Sequence, residues 1–329
     1  MVRLLITGGA GCLGSSLVEH YLRAEVEICV VDAFVTGRRD NLPQNSGISI
    51  VEGSVADAGT VRAAFQQFRP THVIHAAASY KNPSDWHGDA STNVLGSINV
   101  ARSAEQVGVA RLVNLQTALC YGRPQEIPIP VDHRLAPSSS YGVSKTAGEA
   151  AILASSLDVV SLRLANVCGP RLSIGPLPMF YKRLKSGQDC FATAAVRDFL
   201  DMSDFLKLVD IILREESPAG IYNVSSGEGH SIADVLHEVA RVLEVGIPEV
   251  EPIPVGEDDV PQVVLDPSAT VKALGWKAQV GFQEIIARQI AWYENHGTGE
   301  IYSHLADPRP NSGQASGIRD LSSEASSDG

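Results

Sequence analysis

Two side chains in this 329-residue chain are spaced to do acid–base chemistry together. They are the phenol of Tyr141 and the ammonium of Lys145, in Tyr141-Gly142-Val143-Ser144-Lys145. The stretch opens a segment with helical patterning, and residues at i and i+4 share a helix face. A free tyrosine has a pKa of about 10. A nearby ammonium and a bound cation beside the phenol both favour the phenolate, and together they predict a phenol that titrates toward neutrality. Such a group can act as a general base, taking a hydroxyl proton while a hydride leaves the same carbon. Thr117, at the end of the apolar run Arg111–Gln116, is placed to bridge a substrate hydroxyl and the phenol. On spacing alone a Tyr/Lys pair is more often a solvated helix face, so the surrounding elements must decide.

Those elements begin at the N-terminus. Val2–Thr7 is a short apolar run that reads as a buried parallel strand. Gly8-Gly9-Ala10-Gly11-Cys12-Leu13-Gly14 follows, then helical spacing from Ser15 to Ala24, then a second strand from Val26 to Val31 closed by Asp32. Strand, glycine turn, helix, strand and acid in this order form the dinucleotide-binding pattern. Gly8, Gly11 and Gly14 let backbone approach a pyrophosphate, with Cys12 and Leu13 in the same loop, and the helix N-terminus supports the negative charge. Asp32 suits ribose hydroxyls and repels a 2′-phosphate, so NAD is expected rather than NADP. Arg38 and Arg39 read as solvated surface charge. Asp57 could meet the adenine amino group or simply cap the next helix. A bound nicotinamide cation would add to the ammonium in favouring the Tyr141 phenolate.

The alternation continues. Strands are expected at Ile48–Val51, Thr71–His75, Arg111–Gln116 and Val159–Arg163, with helices at Ala58–Phe68, Ala90–Val107 and Ser139–Ser156. The fold class is therefore α/β, a Rossmann-type doubly wound parallel sheet. After Arg163 the texture changes: Pro170, Pro176 and Pro178 interrupt it, and shorter elements follow. Helices are expected at Met179–Lys185, Ser203–Leu213, Ile232–Leu243 and Phe282–Glu294, and strands at Ala195–Leu200 and Ile221–Val224. We divide the chain into a dinucleotide-binding domain at 1–165, to which 196–225 returns, and a smaller, discontinuous α/β substrate-binding lobe at 166–195 and 226–302. Residues 303–329 are Ser, Gly, Asp, Asn and Pro with few apolar side chains, and read as a flexible tail.

Composition narrows the partners. A net charge of −12 argues against nucleic-acid or anionic-membrane surfaces. No apolar stretch reaches the roughly 20 residues of a membrane span, and no signal peptide precedes Leu4-Leu5-Ile6, so a cytoplasmic protein is expected. The five cysteines are scattered without a CxxC pair, and read as reduced structural thiols. No histidine pair has ligand spacing, so no metal is expected. His75, at a strand end, reads as a packed residue.

Four motifs, in register and in order over residues 1 to about 300, resemble the extended short-chain dehydrogenase/reductase family. Thr7–Gly14 resembles its TGxxGxxG, Tyr141–Lys145 its YxxxK, Arg163–Pro170 its RxxNVxGP, and Arg197–Asp204 its R-D-F-[VL]-x-[VM]-x-D segment. Gln116-Thr117-Ala118-Leu119-Cys120-Tyr121-Gly122 is similar to bacterial nucleotide-sugar epimerase/dehydratases of lipopolysaccharide O-antigen clusters. The resemblance implies that Gly8, Gly11, Gly14, Asp32, Asp57, Ala76, Ala77, Tyr141 and Lys145 bind NAD. It implies that Asn93 supports the cofactor site from its helix, and that Asn166 and Arg197 hold a sugar nucleotide, expected to be UDP-linked. An arginine fork suits a diphosphate. It also implies a homodimer through the 90–107 and 139–156 helices, which could equally pack within one chain.

Two departures refine this. Family members that dehydrate the sugar carry an acid pair after the position of Thr117, and decarboxylating members an acid two places on; here Ala118 and Leu119 stand there. Neither can protonate a leaving hydroxyl. Many relatives also carry an arginine ahead of Gly256-Glu257-Asp258-Asp259-Val260, where this chain has acids and glycine. The expectation is an NAD-dependent nucleotide-sugar epimerase acting at C4 of a UDP-sugar. A dehydratase, decarboxylase or ketoreductase is the alternative, and a non-catalytic NAD-binding protein a third reading.

Overall fold

A computed structural model describes residues 2–303, apart from 25, 83, 215, 247–248 and 256–259, with the backbone alone of 302–303 and 318–320. The acidic stretch at 256–259 and most of the expected tail at 303–329 therefore lie outside the described residues.

The order of the strands places the site. β1 (Arg3–Thr7) has β2 (Glu27–Asp32) and then β3 (Ile48–Glu52) on one side. On the other lie β4 (His72–His75), β5 (Arg111–Thr117) and β6 (Val159–Leu164). All of these pair in parallel. The order reverses at β1, so a crevice opens between the carboxyl ends of β1 and β4, where ligands bind in such sheets. Thr7, Asp32, His75 and Thr117 all stand at those carboxyl ends.

Helices cover both faces, which is why these strands read as continuous apolar runs. On β1, Leu4 and Ile6 point into one core and Leu5 into the other, the period-2 alternation of a strand. Leu17 and Val18 of α1 (Cys12–Arg23) join the first core. Phe65 of α2 (Ala58–Phe68) joins the second. Next come α3 (Trp86–Asp89), α4 (Gly96–Val107) and α5 (Ser140–Leu153). The helix expected over 90–107 is not uniform: Ala90–Leu95 forms π-helical turns between α3 and α4. The wider turn accompanies hydrogen bonds that Asn93 makes to Ser79 and Ser144, contacts that the local sequence pattern does not encode.

Beyond β6 the chain builds a second, smaller sheet around β8 (Val196–Asp201). β7 (Asn166–Cys168) pairs parallel to β8, and α6 (Pro176–Lys185) lies between them in sequence. The chain then returns to the large sheet with α7 (Met202–Ile212), whose Phe205 and Leu208 enter the first core, and β9 (Gly220–Val224), which pairs with β6. β8 itself pairs within the smaller sheet, with β7, β10 (Gly229–Ser231) and β11 (Gln262–Val263), so the stretch 196–225 is shared between the two sheets. α8 (Ile232–Val242), α9 (Ser268–Leu274) and α10 (Phe282–His296) complete the order. Phe180, Phe199, Leu236 and Ile286 centre a separate core among α6, α8, α10 and the smaller sheet.

α5 approaches the π-helical stretch closely because residue 148 is glycine. A Cβ there would lie 2.2 Å from the Asn93 carbonyl oxygen and 2.7 Å from Ser97 Oγ. Backbone on one side cannot move away. Gly148→Ala is therefore expected to cost about 1–3 kcal/mol of stability through overpacking, measured by chemical denaturation. An unchanged midpoint would mean that α5 is free to shift.

Candidate active site

Tyr141 sits in the first turn of α5, whose start is fixed by Ser139 accepting a hydrogen bond from the Gly142 amide at 3.1 Å. Thr117 ends β5, and its hydroxyl oxygen accepts from the Leu119 amide at 3.2 Å, capping the short 3-10 turn Ala118–Tyr121. The same hydroxyl lies close enough to the Tyr141 phenol to favour its phenolate. Lys145, one turn further along α5, is buried and donates to the Leu115 carbonyl at 2.6 Å. Gln116 ties the two elements together: its Nε2 donates to the Lys145 carbonyl at 2.9 Å and its Oε1 accepts from the Thr117 amide at 2.8 Å. Thr117, Tyr141 and Lys145 thus converge at the end of β5.

The electrostatics correct one expectation. The phenol does not fall toward neutrality on the chain's own residues. Burial pushes it above its ordinary value, Tyr80 and Asp89 add to that, and the Thr117 hydroxyl opposes it. Burial also lowers Lys145 to about 8, opposed by the Glu149 carboxylate one turn on. The reason is geometric: spacing put the two head groups on one face, but the ammonium is spent on Leu115 and both groups are desolvated.

The glycine loop is formed as expected. Gly8 has φ +66°, and a Cβ on it would lie 2.7 Å from Ala77 Cα, so Gly8 packs directly on the Ala76–Ala77 segment that follows β4. A Cβ on Gly14 would lie 2.1 Å from the Gly8 carbonyl oxygen. Gly11 differs, since a Cβ there would meet only that oxygen, at 3.4 Å. Protein packing does not require glycine at 11, but a ligand lying on the loop does, which fits a pyrophosphate. Cys12 and Leu13 turn their side chains inward, Cys12 Sγ donating to the Pro170 carbonyl at 3.3 Å and Leu13 packing on the first core. Any contribution they make to a cofactor comes from backbone at the start of α1. Asp32 accepts from the Ala10 and Phe34 amides, each at 2.8 Å, one per carboxylate oxygen. Each oxygen keeps acceptor capacity for a ribose hydroxyl. Arg38 is paired with Asp40, and Arg39 with Glu52 and the Phe34 ring, as surface charges. These residues fit NAD.

Other predicted residues fall elsewhere. Asp57 caps α2, accepting from the Gly59 amide and Thr60 hydroxyl at 2.8 Å each. Asn93 is buried, and its amide is fully spent on Ser79 and on Ser144 Oγ, so it acts as a support for the site. Asn166 and Arg197 come together on the smaller sheet. Asn166 donates to the Asp198 carbonyl at 3.1 Å, and Arg197 donates to the Val260 carbonyl at 2.8 Å. Among the described residues no group of His, Cys, Asp and Glu could hold a metal ion.

Several residues escaped the sequence reading. Tyr80 lies edge-on to Tyr141, ring centroids 6.3 Å apart at 72°. Asp89 accepts from Ser140 Oγ at 2.7 Å, and its other oxygen is buried without a partner. Glu149 pairs with Arg163 at 2.9 Å, and Arg163 also donates to Tyr121 Oη at 3.0 Å. Glu149 had a signal, since it continues the Tyr141, Lys145 face by another four residues. Nothing local marks Tyr80 or Asp89.

The family model of the NAD dependent epimerase/dehydratase family matches residues 4–225. The chain belongs to that family. WbmG of Bordetella bronchiseptica, solved in complex with NAD and UDP, is 58% identical with a TM-score of 0.87, over 92% of this chain and 97% of that one. A UDP-glucose 4-epimerase of Thermus thermophilus, solved with NAD, is 33% identical with a TM-score of 0.81, over 90% and 100%. A UDP-glucose 4-epimerase of Mycolicibacterium smegmatis is 30% identical over 316 residues, 89% of this chain and 99% of that protein.

Asp89 supplies a directional test. A carboxylate near the phenol disfavours the phenolate, so removing its charge lowers the Tyr141 pKa. Asp89→Asn, which can still accept from Ser140, is expected to move the acidic limb of the pH–kcat profile to lower pH. An unmoved limb, or one moved upward, contradicts the assignment.

Proposed function

We propose that this NAD-dependent nucleotide-sugar epimerase inverts C4 of a UDP-sugar. Tyr141 removes the proton of the 4-hydroxyl and later returns it. Thr117 orients that hydroxyl against the phenol. Lys145, held by Leu115, keeps α5 in register with β5. Asn166 and Arg197 hold the nucleotide part, Arg197 at the diphosphate. Gly8, Gly11, Gly14, Cys12, Leu13, Asp32, Ala76 and Ala77 form the cofactor seat, with Asn93 behind it and Asp57 beside the adenine end. Bound NAD supplies the hydride acceptor and donor, and a positive charge beside the phenol. The sugar turns as a 4-keto intermediate between the two transfers, and nothing is consumed.

One observation carries the reading: the 3-10 turn after Thr117 presents Ala118 and Leu119, with Ala118 buried, where an elimination would need an acid. The UDP assignment is supported by the UDP in the WbmG complex.

We also propose a cytoplasmic homodimer in surface-polysaccharide synthesis. No helix of the described residues is long and apolar enough to cross a membrane. Leu95, Val143 and Leu153 are exposed on the π-helical stretch and α5, a face suited to a second copy. Val143→Glu is expected to halve the mass seen by light scattering. A wild-type monomer contradicts the dimer.

For the reaction, NMR of purified protein with NAD and a panel of UDP-sugars is expected to show interconversion of one C4 pair. Tyr141→Phe is expected to lose about 10²–10⁴-fold in kcat while still binding NAD. Net formation of NADH, or turnover unaffected in Tyr141→Phe, would overturn the mechanism.

A further inference from the structure

The glycine loop and Tyr141 are joined behind the crevice by a run of buried and part-buried hydrogen bonds, linked by the Asn93 residue itself and by Gly8 packing on Ala77, and its centre is His75. Its ring is fully buried, with Nδ1 2.7 Å from Thr7 Oγ1 and Nε2 3.1 Å from Ser97 Oγ. Proton counting fixes the directions. Ser97 Oγ lies 2.6 Å from the Asn93 carbonyl oxygen, so its single proton goes there and it accepts from His75 Nε2–H. The ring is neutral, since burial and the nearby Lys145 push its pKa down to about 3. Nδ1 is then the acceptor and Thr7 donates to it. Thr7 Oγ1 in turn accepts from the Ala77 amide at 3.2 Å.

Each end reaches one half of the site. At one end Ala77 is the residue on which Gly8 packs. At the other, Asn93 donates to Ser144 Oγ at 2.9 Å, and Ser144 donates to the Tyr141 carbonyl at 3.1 Å. Every hydroxyl in the chain both donates and accepts, so reversing or deleting one bond leaves a buried group unpaired, and that is costly.

We propose that His75, as a neutral Nε2–H imidazole, is a positioning residue that couples the cofactor loop to Tyr141. A change at the Tyr141 end is then felt in NAD binding, and the coupling is reciprocal. The proposal rests on NAD binding at the glycine loop and on the role given to Tyr141, but its test is independent of the sugar.

The test uses the full chain and NAD alone. Ser97→Ala removes the hydroxyl on the Tyr141 side of His75 and leaves the glycine loop intact. It is expected to raise the NAD Kd by up to roughly tenfold, the equivalent of one hydrogen bond, in a fluorescence or calorimetric titration. Ser97→Thr, which keeps the hydroxyl, is expected to restore it. NAD affinity unchanged in Ser97→Ala, or weakened equally in both variants, overturns the coupling. If Ser97→Ala does not fold, nitrogen-15 NMR of the His75 ring in the unaltered protein decides, with a protonated Nε2 and bare Nδ1 expected and the opposite tautomer or a doubly protonated ring at neutral pH overturning it. A protein that binds NAD in this pattern yet turns over no UDP-sugar would leave the coupling standing and remove the epimerase reading.

Discussion

Burying an ammonium is costly unless it is hydrogen-bonded, and Lys145 is buried at 4% exposure with the Leu115 carbonyl 2.6 Å away. Much of the structure serves to hold that contact. Gln116 locks the α5 backbone to β5 beside it. Glu149, one turn on, offsets the burial of the ammonium and is itself neutralised by Arg163. Gly148 lets α5 lie close to the π-helical stretch, which anchors Asn93 and through it Ser144 and Tyr141. The register that satisfies the lysine is the register that brings the phenol to Thr117.

The same packing sets the chemistry. Desolvation that lowers Lys145 to about 8 raises the Tyr141 phenol, because burial penalises whichever form is charged. The chain alone therefore holds a protonated tyrosine. In the reaction proposed above, the phenol becomes a base where positive charge is brought to it, which would tie proton removal to an occupied cofactor seat. Ala118 and Leu119 leave no second acid at the end of β5, so the site can move one proton off and onto one hydroxyl.

How much of this was legible in the sequence follows from the range of each interaction. The large sheet was, because its strands and helices carry their own periodicity and its loop needs glycine at 8 and 14. Thr117, Tyr141 and Lys145 were, because a helix turn and a strand end fix them. Of the smaller sheet only β8 was, as the strand expected at Ala195–Leu200: β7, β10 and β11 have two or three residues each, too few to show a pattern, and exist by pairing with β8. The π-helical turns at 90–95 and the nearness of Asp89 and Tyr80 to Tyr141 arise from tertiary contacts between segments some 50 to 60 residues apart. The upward push that burial gives Tyr141 on the chain's own residues was illegible for the same reason, since spacing reports neighbours and not burial.

The central claim is that one carbon is oxidised and re-reduced while its hydrogen stays within the site. The most direct measurement is NMR of the product formed from a UDP-sugar in deuterium oxide. The account predicts inversion at C4 with no deuterium on any ring or side-chain carbon. Deuterium at C5 or C6, the mark of enolisation or elimination, would contradict it.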